Sequence, residues 1–229
     1  MKKILIILML INYYPVQAQD VNSLVQKVRE RLARVNDYEA TGKMKTNVIF
    51  LKVPIAAVKI YFKKPDKLKI KNEKGISFIP KGAVTINMNN ILSGNSFTAI
   101  DGGITKFNNA TVRIVKLLPQ DENNDIVLST LYIDETNFVI RKAKTTTKDN
   151  GTYELDMTYG KYTEYGLPDK VIFTFNTKDY KMPKGVTFDF DDGNAQKKAA
   201  ENLKNHTGKV EIEYSQYIIN KGFSDAVFQ

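Results

Sequence analysis

Glu154 and Asp156 stand two residues apart in an alternating run, a spacing that sets two carboxyl groups on one face of a strand, as a paired-carboxylate hydrolase would need. Alternating solvent-facing acids account for them equally well. The sequence supplies no second acid pair, no base beside them and no glycine-rich phosphate loop. Asp189-Phe190-Asp191-Asp192-Gly193-Asn194 opens like a calcium loop and then departs from it. Counted from Asp189, position five is Gly193, position six is Asn194 where glycine is required, and position twelve is Ala200 where a bidentate glutamate belongs. Helix capping explains those aspartates better. The single histidine, His206, lies in Asn205-His206-Thr207-Gly208, a helix-end sequence where imidazole suits the dipole. With no cysteine there is no thiol nucleophile, redox pair or zinc-thiolate site. Tyr153, Tyr159, Tyr162 and Tyr165 could form a platform for sugars, but Tyr153 and Tyr159 fall on the apolar side of their strand, which fits packing. The sequence reads as a protein without catalytic residues, metal or cofactor.

Something other than chemistry must therefore be sought in the elements. The chain has 229 residues, 42% of them hydrophobic and 26% charged, enough for one globular domain that needs no staple. Met1-Lys2-Lys3, the apolar run Ile4 to Ile11 and Val16-Gln17-Ala18 follow the pattern of an export signal cleaved after Ala18. The run is too short to span a bilayer. Lys2 and Lys3 leave with it, which takes the formal charge from +9 to +7. Export makes nucleic acid a poor partner, and many of the lysines alternate with apolar residues as they would on the wet face of a sheet.

From Val21 the apolar residues Leu24, Val25, Val28, Leu32 and Val35 recur at helical spacing over residues 21–35. Asn36-Asp37 ends the helix and the period falls to two. Residues 38–50 alternate, with Met44, Val48 and Phe50 on the apolar side. Residues 53–62 form a second strand, carrying Val58, Ile60 and Phe62; Lys63-Lys64-Pro65-Asp66 turns the chain, and 67–71 alternates again through Leu68 and Ile70. Residues 76–101 read as a short strand leading into a loop or short helix. Strands are expected at 111–118, 126–133, 138–147, 153–159, 171–175 and 210–219, with a weak helix at 195–204. This pattern is mainly β, one antiparallel sheet with an amino-terminal helix and a late helical insertion.

Tyr38-Glu39-Ala40-Thr41-Gly42-Lys43-Met44 after the helix, then Val58-Lys59-Ile60-Tyr61-Phe62 leading through Pro65 to Leu68-Lys69, resembles the LolA-like family of periplasmic lipoprotein carriers. Phe62, Pro65, Leu68 and Lys69 match its pattern of an aromatic strand end, a proline turn and an apolar-basic pair. The likeness in element order continues through Gly166-Leu167-Pro168 to the last strand. Lys43 and Lys45 stand on the strand where LolA has a lid-holding arginine, and the tryptophans common in the family are absent. The resemblance implies a strongly curved, unclosed half-barrel over residues 19–229, lidded by helices. It also implies carriage of lipoprotein acyl chains or lipids across the periplasm, by a monomer dealing with inner- and outer-membrane transport proteins. A dry wall is all an acyl chain needs, since each buried CH₂ contributes about 0.8 kcal/mol. Met44, Val48, Phe50, Val58, Ile60, Phe62, Leu68 and Ile70 are the candidate wall, and Leu24, Val28 and Leu32 the candidate lid. A sensor module on the same fold, or a structural envelope protein with a filled core, are the other readings that these residues leave open.

Overall fold

The computed structural model of the chain describes residues 20–48, 51–52, 55–72, 92, 97–149, 151–176 and 207–228. The export signal, Phe50, His206, the calcium-like run at Asp189 and the helix expected at 195–204 lie outside the described residues, as does most of the 76–96 segment.

The helix α1 is Val21–Ala33, capped by Asp20, whose carboxylate accepts a hydrogen bond from the Ser23 amide at 3.3 Å. Val21, Leu24, Val25 and Val28 form its buried stripe. It ends two residues short of the expected Val35, with the Arg34 amide donating back to the Arg31 carbonyl. The Lys64 ammonium donates to the Ala33 carbonyl at 2.7 Å, where the helix dipole is negative. Asn220, in the left-handed region at φ 57°, donates to the Arg34 carbonyl and accepts from the Asn36 amide, each at 2.7 Å. The carboxy-terminal end of the helix is thereby tied to the turn at Lys64 and to Asn220.

The strands are β1 (Asp37–Val48), β2 (Leu51–Lys52), β3 (Ala56–Lys63), β4 (Lys67–Asn72), β5 (Phe97–Phe107), β6 (Ala110–Pro119), β7 (Ile126–Asp134), β8 (Val139–Thr147), β9 (Thr152–Thr158), β10 (Lys170–Asn176) and β11 (Thr207–Ile219). They form one antiparallel sheet in the order β4-β3-β1-β11-β10-β9-β8-β7-β6-β5, with β2 pairing β1 beside β3. The two edges, β4 and β5, do not pair among the described residues, so the sheet is an unclosed half-barrel, as the family resemblance implied. Consecutive strands from β5 to β11 are neighbours; the long-range step is β11 beside β1, which joins the two ends of the chain.

Three expectations are corrected. The strand read over 53–62 is β3, which begins at Ala56 and runs to Lys63; residues 53–54 lie outside the described residues. The irregular segment read over 76–101 gives way at Phe97 to β5. Its alternation was hidden by Gly102-Gly103, where the register with β6 shifts between Asp101 and Ile104, and by Ile100 and Ile104 facing solvent. Phe138 is a turn residue at φ 48° rather than the first residue of a strand.

A second register shift, between Thr41 and Gly42, sets one extra residue, Ser215, into β11. Gly42 is required there: a Cβ would stand 2.4 Å from the Glu213 carbonyl oxygen. Since that neighbour is backbone, Gly42→Ala is expected to lower the unfolding free energy by about 1–3 kcal/mol in denaturant melts.

The helix lies against β5, β8 and the 3-10 turn at Thr163–Tyr165. The Arg29 guanidinium stands 4.7 Å from the Phe97 ring centre, and the Lys27 ammonium 4.9 Å from that of Phe138. Leu24 and Val25 are sealed in the core together with Leu117, Leu131 and Ile133.

Candidate functional site

The inner face of the sheet is built in rows, because antiparallel register sets residues of neighbouring strands opposite one another. Met157, Val171, Ile212 and Met44 face one another in sequence across β9, β10, β11 and β1. Leu155, Phe173 and Val210 form a second row. Tyr217, Ala40, Ile60 and Ile70 form a third, and Tyr38, Phe62 and Leu68 a fourth. Apart from Ala40, every one of these side chains lines a cavity of about 130 Å³. Leu32 of the helix and Val35 just beyond it close one side of it, and Tyr165 to Pro168 close another.

Helix and turn are fastened where they meet the cavity. Arg31 donates to the Thr163 carbonyl at 3.0 Å and Arg34 to the Glu164 carbonyl at 3.3 Å. Gly166 is left-handed at φ 67°, and a Cβ there would meet Leu32 at 3.1 Å, so the turn packs directly on the lid residue.

The extra Ser215 has a consequence for the site. Val210, Ile212 and Tyr214 point inward at the period of two, and the bulge then turns Tyr217 inward as well. The two tyrosine rings stack with centres 4.9 Å apart at 23°. Tyr38 meets Tyr217 edge-on at 5.3 Å, and Tyr162 does so at 4.9 Å. The Tyr217 hydroxyl donates to the Pro168 carbonyl at 2.8 Å. Burial pushes the Tyr38 phenol well above its ordinary value and that of Tyr214 up to about 12, so both are neutral.

Of the eleven residues singled out in the sequence, Leu32, Met44, Ile60, Phe62, Leu68 and Ile70 line the cavity. Leu24, Val28 and Val58 are in the filled core, 0%, 2% and 1% exposed, and do not line it. Val48 ends β1 opposite Leu51, and Phe50 lies outside the described residues. The wall contributed by β9, β10 and β11 was missed; its apolar alternation was legible, but its position beside β1 was not.

The other candidates have structural partners. Glu154 and Asp156 pair with Lys142 at 2.6 and 3.5 Å on the side of the sheet away from the cavity rows, and the lysines beside Glu154 hold its carboxyl below the usual range. Tyr159 donates to the Ile140 carbonyl at 2.9 Å, and the Tyr153 ring packs on Phe173 at 5.8 Å. Among the described residues no group of three or more His, Cys, Asp or Glu side chains could hold a metal ion.

No protein-family model and no curated protein matches the sequence. Solved structures do match the fold. A domain from Vibrio parahaemolyticus described as outer membrane lipoprotein-sorting has a TM-score of 0.56 and 11% identity, over 92% of this chain and 97% of the other. A DUF1329 family protein from Desulfovibrio piger has a TM-score of 0.56 and 12% identity, over 91% and 97%. A LolA superfamily protein from Nitrosomonas europaea has a TM-score of 0.52 and 9% identity, over 91% and 96%. An open antiparallel sheet with α1 against its apolar inner face, together with the likeness to these structures, gives the chain a divergent LolA-like fold.

Proposed function

We propose that this chain is a periplasmic carrier that shelters the acyl chains of lipoproteins, or other lipids, while they pass between membranes. The observation that carries the reading is the cavity: about 130 Å³, lined by apolar side chains and four tyrosines, with no charged residue among the described lining. An apolar cavity of about 150 Å³ is known to stay dry and to take up benzene. Burying six methylenes contributes roughly 5 kcal/mol before the costs of association. A whole acyl chain needs more room, which the end of α1 and the Gly166 turn supply by moving apart. Met44, Ile60, Phe62, Leu68 and Ile70 act as wall and Leu32 as lid, with Leu24, Val28 and Val58 as their packed support. Residues 1–18 serve as the export signal, residues 19–229 as one carrier domain, and the work is binding without chemistry. The likeness to a domain described as lipoprotein-sorting supports this reading.

The test is transfer. Purified protein incubated with inner-membrane vesicles carrying a labelled lipoprotein should release that lipoprotein into the soluble fraction as a one-to-one complex and give it up to outer-membrane vesicles. Binding without release onto the acceptor vesicles would contradict carriage.

A further inference from the structure

The polar side chains among the described lining are Tyr38, Tyr165, Tyr214 and Tyr217. They are all phenols, and three of them stand together at the β1–β11 end of the cavity. Their hydroxyls are not equivalent. That of Tyr217 is committed to the Pro168 carbonyl. Tyr38 is fixed by its ring, tilted on Phe62 at 5.2 Å and edge-on to Tyr217, while its hydroxyl makes no hydrogen bond among the described residues. A phenol held neutral is a donor, and one that has no acceptor in the protein is available to a ligand that brings one. A carboxylate cannot be that ligand group at low cost. It would enter a wall with no described cation to compensate its lost hydration. An ester or amide carbonyl brings the acceptor and no charge.

We propose that the cavity prefers an acyl chain bearing an uncharged carbonyl, ester or amide, over the same chain ending in a free carboxylate, and that Tyr38 is the specificity-determining donor that reads the carbonyl. This rests on the lipid-binding reading above and adds to it the chemistry of the chain's head.

The experiment displaces a bound uncharged dye, N-phenyl-1-naphthylamine, from the exported protein with methyl laurate, N-methyl lauramide and laurate at pH 8. The ester and the amide should compete at roughly tenfold lower concentration than the carboxylate, and the gap should close below about pH 5, where laurate is protonated. Tyr38→Phe should weaken ester and amide roughly 3- to 10-fold relative to the dye, the loss of one hydrogen bond, and so narrow their advantage over laurate. Laurate competing as well as its methyl ester at pH 8, or unchanged ester competition in Tyr38→Phe, overturns the inference and leaves lipid binding standing. Failure of the parent protein to bind the dye or any of the three chains overturns the lipid-binding reading itself.

Discussion

Leu24→Ala is expected to lower the unfolding free energy by about 2–5 kcal/mol and to leave dye affinity unchanged, whereas Leu32→Ala, eight residues along the same stripe, should do the reverse. Leu24 is fully enclosed, so the truncation empties space that neighbours on β5 to β8 cannot refill. Leu32 is half-buried and already borders a cavity, so its removal enlarges a void instead of making one. Its stability loss should be smaller, about 1 kcal/mol by the area it still covers, and its effect should fall on dye affinity and release rate. The checks are a denaturant melt and a dye titration on each variant. Equal stability losses with unaltered binding in both would mean that α1 is core throughout its length and lids nothing.

Filling the cavity is the second large effect. Ile212 stands between Val171 and Met44 in the middle row, and Ile212→Trp directs an indole into a space of about 130 Å³. Overpacking an already full core costs about 1–3 kcal/mol, but here the ring enters empty space and the melting loss should fall at or below that range. Dye affinity should fall at least about tenfold, which is 1.4 kcal/mol of binding or more. Isothermal or fluorescence titration of parent and variant reads it directly. Undiminished binding in a folded Ile212→Trp protein would put the ligand somewhere else.

Much of this fold could be read from the residues, and the reasons are local. Leu24, Val28 and Leu32 announce a helix by spacing alone, and Leu155-Asp156-Met157 or Val171-Ile172-Phe173 announce half-buried strands. Half of the site was legible for the same cause: Ile60, Phe62, Leu68 and Ile70 alternate within one hairpin, so their common face follows from the turn at Pro65. The other half was not legible because it depends on pairing between distant segments. Nothing local tells that Ile212 faces Met44, since a register between strands so far apart in the chain is set by the whole sheet. Tyr214 and Tyr217 were hidden by a sharper obstacle. Three apart, they belong to opposite faces of a regular strand, and only the bulge at Ser215 turns both inward. β5 was lost in the same way, through the shift at Gly102-Gly103.

The central claim is that an acyl chain occupies the space between the β9–β11 rows, the early hairpin and the end of α1. The most direct measurement is photolabelling of the exported protein with a lauryl ester that carries a diazirine in mid-chain, followed by mapping of the adducts by mass spectrometry. The account predicts one adduct per protein, concentrated on Leu32, Met44, Val171 and Ile212 and displaced by unlabelled ester. Adducts on the outward residues of β5, such as Ile100 and Ile104, with none on those four, would contradict it.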